Sequence, residues 1–394
     1  MKKKSFLVII IIIIQLITGC TSDSIEVSNI AIVSGIGLDK MEDGKILVSV
    51  LIPVTRSAGF GGLLSAGSAR TESTTLVSEK GEGVMDAYRR IEKKLSRRLF
   101  FSQNGGIFIG ENLARDGISD VIDFLYRNPE SHLRSYVFFT KGLAAKLLSM
   151  ESKLERSIIE KFVKEEELEA GFKVNFKDFL NMINEEGEEG IAAQVMITPL
   201  DVSGSFDSIT SGIDGAAVLY KYKLVGWLNS KESRGALWLR NEIQTGIITD
   251  IPDKKSNGVV GVKIVNANTK VNPILNGKQV EMEVKINIKG DIFENSSNLD
   301  LSNPETIHLI QGKVAEDING TIQLALEKVQ KHLKSDVFGF GTAVYRKHPK
   351  QWNNYYKGHW SEEFSKVKVK VICDVNIPNI GLQSKRLTPN YDKY

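Results

Sequence analysis

The stretch NGKQVEMEVKINI at residues 276–288 predicts a hairpin turn followed by a strand with one buried face. Asn276-Gly277 is a strong signal for a two-residue turn between antiparallel strands. After the turn, polar residues alternate strictly with apolar ones, which are Val280, Met282, Val284, Ile286 and Ile288. This period of two is typical of a strand whose apolar side lies against a core. The strand therefore requires a second layer of structure to cover it.

A long helix follows and can provide this layer. Ser302 or Asn303 can cap its start, and Pro304 suits the first turn, where no amide hydrogen is needed. The helix is predicted over residues 304–333, with an apolar stripe at helical spacing made of Ile307, Ile310, Val314, Ile318, Ile322, Leu326, Val329 and Leu333. A last strand is predicted from the alternating residues Val367, Val369, Val371, Cys373 and Val375.

Strands and helices are also mixed in the N-terminal half. Strand patterns occupy residues 30–37, 46–52, 74–78, 106–110, 136–140 and 192–197. Helix patterns occupy residues 84–99, 118–127, 144–164 and 176–183. Because this order is not a regular βαβ alternation, the sequence predicts an α+β fold of several domains, in which mixed antiparallel sheets pack with helices.

Two loop-rich segments divide the chain. Residues 57–68 contain four glycines with serines and alanines, and residues 201–215 are rich in Ser, Gly and Asp. We expect the second segment to be the main boundary. The prediction is an N-terminal α+β region at 30–200 with room for two subdomains, a linker at 201–215 and a C-terminal α+β domain at 216–394.

The first 20 residues have the order of a bacterial lipoprotein signal. Three lysines at 2–4 precede an unbroken apolar run at 6–14, and Ile17-Thr18-Gly19-Cys20 follows. This run is well short of the roughly 20 residues of a transmembrane helix, so residues 1–19 are predicted to be a signal peptide. Small residues directly before a cysteine resemble a lipobox, in which Cys20 would carry diacylglycerol and become the acylated N-terminus. The alternative is that Cys20 occurs there by chance and that the segment is an ordinary signal peptide or a short membrane anchor.

A lipid on Cys20 would determine where the rest of the chain works. Each buried acyl methylene contributes about 0.8 kcal/mol, so two or three chains on one cysteine would make detachment negligible. Residues 20–29 would then be a short lipidated tether, and no later stretch has 18 consecutive apolar residues. We therefore predict a folded body held at the outer face of a membrane.

Composition is that of a folded protein with no charge bias. The 394 residues are 42% hydrophobic and 25% charged. Without residues 1–19, the 51 basic side chains become 48, which equals the 48 acidic ones. This balance gives no indication of nucleic-acid binding. If Cys20 carries lipid, Cys373 is the only remaining thiol, and an internal disulfide is excluded.

The sequence contains no recognisable catalytic motif. Cys373 lies on the apolar side of its strand, as expected of a buried thiol rather than a nucleophile. The five histidines are scattered without a metal-ligand spacing: His132, His308, His332, His348 and His359. The acidic runs at 165–167 and 185–189 are most simply solvated, with calcium binding as a weak alternative. We predict no catalytic residue, no metal and no cofactor.

Two groups of residues are candidate binding surfaces. The first is a set of six cations on one predicted helix, opposed only by Glu92: Arg89, Arg90, Lys93, Lys94, Arg97 and Arg98. We refer to these six residues as the basic surface. One interpretation is that it faces anionic lipid or an acidic partner. The alternative is a solvated helix face with structural ion pairs. The second group is aromatic and is expected mostly in the core: Trp227, Trp238, Phe338, Phe340, Tyr345, Trp352, Tyr355, Tyr356 and Trp360.

Short motifs in a fixed order carry a family resemblance. They are AIVSGIGLDK at 31–40, FSQ at 101–103 with IFIGE at 107–111, DFL at 123–125 with RNPE at 127–130, GAAV at 215–218, LVGWL at 224–228, RGALWL at 234–239, DVFGFG at 336–341, and Pro349, Trp352 and Trp360. Together they resemble the Ger(x)C lipoproteins, the C subunits of spore germinant receptors. The chain departs from the family at 21–24, where an acidic or aromatic stretch is common, and at Gln103, where histidine is common.

The resemblance implies a three-domain α+β body with no known enzymatic activity. It also implies a complex with two membrane subunits, an A subunit and a B subunit similar to amino-acid transporters, on the outer face of the spore inner membrane. The expected function is that of a non-catalytic lipoprotein subunit needed for germination in response to nutrients. The alternative is a membrane-anchored lipoprotein that binds a small germinant directly, with residues 57–68 as its lid. A third hypothesis, an envelope hydrolase, is the least favoured of the three because the sequence shows no nucleophile–base pair.

Overall fold

The computed structural model describes residues 26–54, 73–128, 132–150, 155, 157–167, 171–199, 209–243, 246, 248–253 and 258–381. Within these ranges, no helix combines the length and the apolar character of a membrane span. The fold is α+β, as predicted, with two large mixed sheets and helices packed against them.

The first ten strands form the N-terminal half. They are β1 Ile30–Ile32, β2 Gly35–Lys40, β3 Ile46–Val54, β4 Ser73–Gly81, β5 Arg98–Phe100, β6 Gly106–Gly110, β7 Tyr136–Thr140, β8 Ile191–Pro199, β9 Ile209–Tyr220 and β10 Lys223–Leu228. Eight of them make one sheet in the order β10-β9-β8-β7-β6-β2-β3-β4. The four central strands, β8, β7, β6 and β2, are parallel to one another. The remaining pairs, toward both edges of the sheet, are antiparallel. Strand β1 pairs in parallel with β5, apart from this sheet.

Helices cover both faces of this sheet. They are α1 Val84–Leu95, α2 Glu111–Asp116, α3 Ser119–Arg127, α4 Ala144–Leu148, α5 Ile158–Glu167 and α6 Phe176–Asn184. Ile107 and Phe139 belong to the main core on one face, whereas Phe108, Phe138 and Phe162 belong to a smaller core on the other. All five residues of β6 are buried, as expected of parallel strands covered on both faces.

The C-terminal half consists of a four-stranded sheet and a long helix. The strands are β11 Ile248–Asp253, β12 Gly258–Asn276, β13 Gln279–Asn295 and β14 Lys368–Asn379, and the helices are α7 Ser230–Leu239, α8 Pro304–Leu326, α9 Phe340–Lys347, α10 Pro349–Gln351 and α11 Trp360–Phe364. Helix α8 packs on this sheet and on α7. A Cβ atom on Gly235 would collide with the carbonyl oxygen of Thr321, so only glycine allows this close approach of α7 to α8.

Several elements match the sequence prediction closely. The predicted long helix is capped by the Asn303 side chain, which accepts from the Glu305 amide at 2.9 Å, and Pro304 is in its first turn. It continues as a π-helix at Glu327–Leu333 and ends at Lys334, whose φ of 53° is left-handed. The turn before β13 is displaced by one residue from the predicted one. Gly277 and Lys278 form it, because Asn276 pairs with Gln279 and Gly277 has the positive φ of 64°.

Three predictions require correction. Residues 209–215 of the expected linker lie in β9, because backbone pairing with β8 overrides their Ser- and Gly-rich composition. The helix predicted at 84–99 ends at Leu95, since Ser96 is left-handed and Leu99 pairs in β5 with Ala31. The helical stretch predicted at 144–164 consists of two separate helices, α4 and α5.

Candidate functional site

The basic surface lies along α1 and the residues that follow it. All six of its side chains are exposed. Arg90 is paired with Asp86 at 3.1 Å, and Lys94 is paired with Glu79 at 2.7 Å, as the alternative of structural ion pairs requires. Among the described residues, no ion pair involves the other four, which are Arg89, Lys93, Arg97 and Arg98. Two of the six exposed cations are therefore neutralised by carboxylates of the same chain, and the other four have no ion pair with a described residue.

The predicted lipidation site, Cys20, lies outside the described residues, as does the predicted loop at 57–68. The other cysteine, Cys373, is on the core-facing side of β14 and is half-buried. Burial, with the carboxylate of Asp374 as a smaller cause, raises the pKa of the Cys373 thiol to about 11. The thiolate is therefore scarce at neutral pH, so this cysteine is a poor nucleophile.

The acidic run at residues 185–189, which we call the acidic loop, contacts the C-terminal half rather than solvent alone. Glu185 pairs with Arg346 at 2.7 Å. Glu186 accepts a hydrogen bond from the Trp352 indole at 2.9 Å and also pairs with Lys357, and the Lys357 hydrogen bond is the main cause of its lowered pKa. The loop thus joins the end of α6 to the segment around α9 and α10.

Arg240 fixes the base of this loop. Its guanidinium donates to Glu188 at 2.9 Å, to Glu242 at 2.7 Å and to the carbonyl oxygen of Val337. Only 9% of the Arg240 side chain is exposed, compared with 14% for Glu188 and 32% for Glu242. Although burial opposes the charge, the two glutamates raise the pKa of the guanidinium. A cation at this depth is stable only with both partners in place.

Asp336 is the second buried group beside the acidic loop. Its carboxylate accepts from the Trp360 indole at 2.7 Å, from the Gly341 amide at 2.8 Å, and from the amides of Phe338 and Phe340 at 3.2 Å. Burial raises the pKa of Asp336 to about 7, because desolvation outweighs these hydrogen bonds. The hydrogen bonds hold the turn before α9 against the Trp360 ring.

Two glycines bring the acidic loop and α9 into direct backbone contact. A Cβ atom on Gly341 would lie 2.5 Å from the Trp360 indole nitrogen and 2.6 Å from the Cα atom of Gly187. Gly187 in turn has a φ of 84°, which favours glycine for conformational reasons as well. Neither position leaves space for a side chain.

A cleft of about 410 Å³ lies between the acidic loop, the β9–β10 turn and the C-terminal segment. Aromatic rings line it together with charges of both signs, among them Tyr220, Trp352, Trp360, Lys334 and Glu189. The Glu189 carboxylate accepts from the Lys221 amide at 2.9 Å, and burial raises its pKa. Residues of both halves of the described chain therefore form this cleft together.

The described part of the chain holds no group of three or more His, Cys, Asp or Glu residues placed to bind a metal ion. The aromatic residues predicted to lie mostly in the core do so: Trp238, Phe338, Phe340, Trp352, Tyr356 and Trp360 are all buried. Trp227 is partly buried and donates to Glu111 at 3.2 Å, and Tyr345 is 39% exposed.

Sequence reasoning did not single out Arg240, Asp336 or the acidic loop as parts of one assembly. The contacts that join them to one another, such as Arg240 with Glu188, connect residues 50 or more positions apart, so no local pattern reveals the assembly. One signal was available: Asp336 followed by Gly339 and Gly341 is typical of a carboxylate that accepts from the amides of a tight turn, and Gly339 has a φ of 74°.

Two family models match consecutive parts of the chain. One, described as "Spore germination protein N-terminal domain", matches residues 23–197, and the other, "Spore germination B3/ GerAC like, C-terminal", matches residues 214–381. The chain belongs to the Ger(x)C family of spore germination proteins. Its similarity to individual members is low but extends from end to end.

Relatives and a solved structure agree with this membership. The Ger(x)C chain is 26% identical over 402 residues to spore germination protein KC of Bacillus subtilis, covering 98% of each chain. It is 22% identical over 394 residues to spore germination protein B3 of the same organism, covering 98% of this chain and all of that one. The crystal structure of the GerBC protein has the same fold, with a TM-score of 0.56 at 18% identity over 88% of this chain and 97% of that chain.

The motifs that carried the resemblance have structural roles in this Ger(x)C chain. Asp39, in the first motif, accepts from the amides of Ala144 and Ala145 at 2.7 and 2.9 Å and so caps α4 from strand β2. Gly341 and Trp360, from the last motifs, meet at the acidic loop. The family pattern therefore marks contacts that fix the fold.

Proposed function

We propose that this chain is a non-catalytic lipoprotein subunit of a spore nutrient-germinant receptor, working beside A and B membrane subunits on the outer face of the spore inner membrane. The observation that carries the proposal is the pair of family matches over residues 23–197 and 214–381. The lipobox-like sequence that ends at Cys20 supports the anchor. Both features point to a body that acts by contact with other proteins.

A lipid anchor would promote assembly without any new protein contact. Tethering a body to the membrane that holds its partners turns a three-dimensional search into a local one and raises the effective concentration of each component. Two or three acyl chains would make the tether permanent on the time scale of dormancy.

The test is to replace each of the two cysteines in turn in spores. Cys20→Ala should move the protein out of the membrane fraction and strongly reduce germination in response to nutrients. Cys373→Ala is the matched control, because it removes the other thiol from a half-buried strand position and should leave the protein in the membrane fraction. Normal nutrient germination of Cys20→Ala spores, with the protein at its usual level, would refute the proposal.

A second candidate function, direct binding of a small germinant, is favoured by the cleft. Aromatic rings with both lysine and glutamate side chains suit a small molecule that carries both charges or several polar groups. Calorimetry of the purified full-length protein in detergent, with amino acids, sugars and nucleosides as probes, should then give heat for at least one. Glu189→Gln and Lys334→Gln would weaken this binding, and the absence of heat for every probe would remove the hypothesis.

A further inference from the structure

We infer that the four cations of the basic surface that have no ion pair with a described residue, Arg89, Lys93, Arg97 and Arg98, dock on anionic lipid headgroups and so fix the orientation of the body on the bilayer. This inference rests on the proposed lipid anchor but adds a second, electrostatic contact to it. One flexible tether limits only the distance of a body from the membrane, whereas two contacts also limit its rotation.

The path of the chain places this surface next to the anchor. Strand β1 pairs with β5 in a register that sets Ile30 opposite Arg98. Ile30 is only ten positions after Cys20 in the sequence. Because an extended chain spans at most about 3.5 Å per residue, Ile30 lies within about 35 Å of the lipidated residue. Arg98, opposite Ile30 on the neighbouring strand, is at most about 5 Å farther away. The basic surface therefore lies on the part of the folded body to which the proposed tether is connected.

The orientation of α1 exposes these charges. Val84, Ala87 and Ile91 are buried against the body, so at 100° per residue Arg89 and Lys93 lie on the opposite face of the helix. Arg89 and Lys93 are four residues apart, a spacing at which like charges oppose helix formation. Their placement is unfavourable for the isolated helix, which is consistent with a role outside it.

Nearby carboxylates are already engaged. Asp86 pairs with Arg90, and Glu79 pairs with Lys94. Glu92 accepts from the Leu99 amide at 3.0 Å, which holds its carboxylate toward β5. Glu26, on the tether side, accepts from Ser28 at 3.3 Å. The donors to Glu92 and Glu26 are neutral, so these two carboxylates keep their negative charge. Six cations against four carboxylates leave this face with an excess of two positive charges, and the cations that carry it belong to the four without an ion pair.

The expected effect is large at low salt. Each basic residue near an anionic leaflet favours binding, and four together would favour the docked orientation by on the order of a thousandfold. Repulsion of Glu92 and Glu26 by the same leaflet reduces this preference to on the order of thirtyfold. Salt at about 1 M, where the Debye length is about 3 Å, should abolish this preference without removing the acyl anchor.

The experiment measures the chemical accessibility of Lys93 in lipidated full-length protein reconstituted into vesicles. Flotation first shows whether the protein is anchored in both pure phosphatidylcholine and phosphatidylglycerol-containing vesicles. An amine-reactive, membrane-impermeant reagent is then applied, and mass spectrometry compares Lys93 with exposed Lys368 on β14 as an internal reference. Relative labelling of Lys93 should fall at least about fivefold with the anionic lipid and recover at about 1 M salt.

Two variants make the result specific. Arg89→Gln with Arg97→Gln and Arg98→Gln leaves Lys93 as the reporter and should restore its labelling on anionic vesicles. The matched control, Lys263→Gln with Lys270→Gln and Lys289→Gln, removes three exposed cations from the C-terminal sheet and should leave the protection intact.

The outcomes separate the two ideas. Flotation with equal Lys93 labelling on both kinds of vesicle would overturn the docking while leaving the anchor. Failure to float on either kind would contradict both. Protection in native spore membranes but not in anionic vesicles would overturn lipid docking in favour of an acidic protein partner.

Discussion

Arg240→Met should cause a large loss of stability by breaking the contact between the acidic loop and the C-terminal half. The substitution keeps an unbranched apolar stem in place but leaves Glu188 and Glu242 without their cation. Removing one partner of a buried ion pair typically costs about 3–5 kcal/mol. Because Glu242 is 32% exposed, solvent screens part of that loss. The expected decrease in the free energy of unfolding is therefore near the lower end, about 3 kcal/mol.

Two further variants isolate the cause. Arg240→Lys keeps the positive charge but loses the forked geometry that reaches Glu188, Glu242 and the Val337 carbonyl together, so about 1–2 kcal/mol should be lost. In Arg240→Met with Glu188→Gln, the more buried of the two unpaired carboxylates is replaced by a neutral amide. This double variant should lose at least about 1 kcal/mol less than the sum of the two single changes.

Urea unfolding of the purified protein, followed by tryptophan fluorescence, measures these differences. Trp238, Trp352 and Trp360 are buried in the folded chain and become exposed on unfolding. A loss of under about 1 kcal/mol for Arg240→Met, or a loss equal to that of Arg240→Lys, would refute the assignment of Arg240 as the buried link.

Three further predictions concern the same region and the free thiol. Because burial raises the pKa of Asp336 from 3.8 to about 7, the folded chain holds this proton to a higher pH than the unfolded chain. The contribution of Asp336 to stability is therefore greatest below about pH 4 and falls until about pH 7, a slope that urea titrations should lose in Asp336→Asn. Gly341→Ala should destabilise the protein by about 1–3 kcal/mol, because the added Cβ atom collides with Trp360. Gly320→Ala, in open space on α8, is the control and should stabilise the protein by about 0.5–1 kcal/mol. Equal melting temperatures of the two variants would contradict this prediction. Iodoacetamide should alkylate Cys373 at neutral pH on the order of a hundredfold more slowly than an unfolded control, and equal rates would show that the thiol is not buried.

Local patterns predicted the elements whose structure depends mainly on local forces. The Asn303–Pro304 start of α8 and the alternation in β13 are determined by capping and by one buried face, and both were predicted correctly. The β9–β10 hairpin is equally local, since its turn consists of the left-handed residues Lys221 and Tyr222. Each of these features depends on residues close together in the chain.

Features that depend on distant partners could not be predicted in the same way. Leu99 continues the apolar spacing of α1, but pairing with Ala31 places it in a strand. Residues 209–215 read as a linker because composition does not reveal that β8 supplies their backbone hydrogen bonds. The acidic loop looked solvated because its partners Arg240, Arg346 and Trp352 are 50 or more residues away. The basic surface, by contrast, was identifiable from sequence, but its position beside the start of the folded body became visible only through the pairing of β1 with β5.

Mass spectrometry of the mature N-terminus, on protein extracted from spore membranes, tests the lipid-anchored receptor subunit most directly. A lipid-anchored subunit should begin at Cys20 and carry the added mass of a diacylglycerol thioether with an acylated amine. A chain that retains residues 1–19, or an unmodified Cys20, would contradict the anchor and with it the proposed place of this Ger(x)C protein on the spore inner membrane.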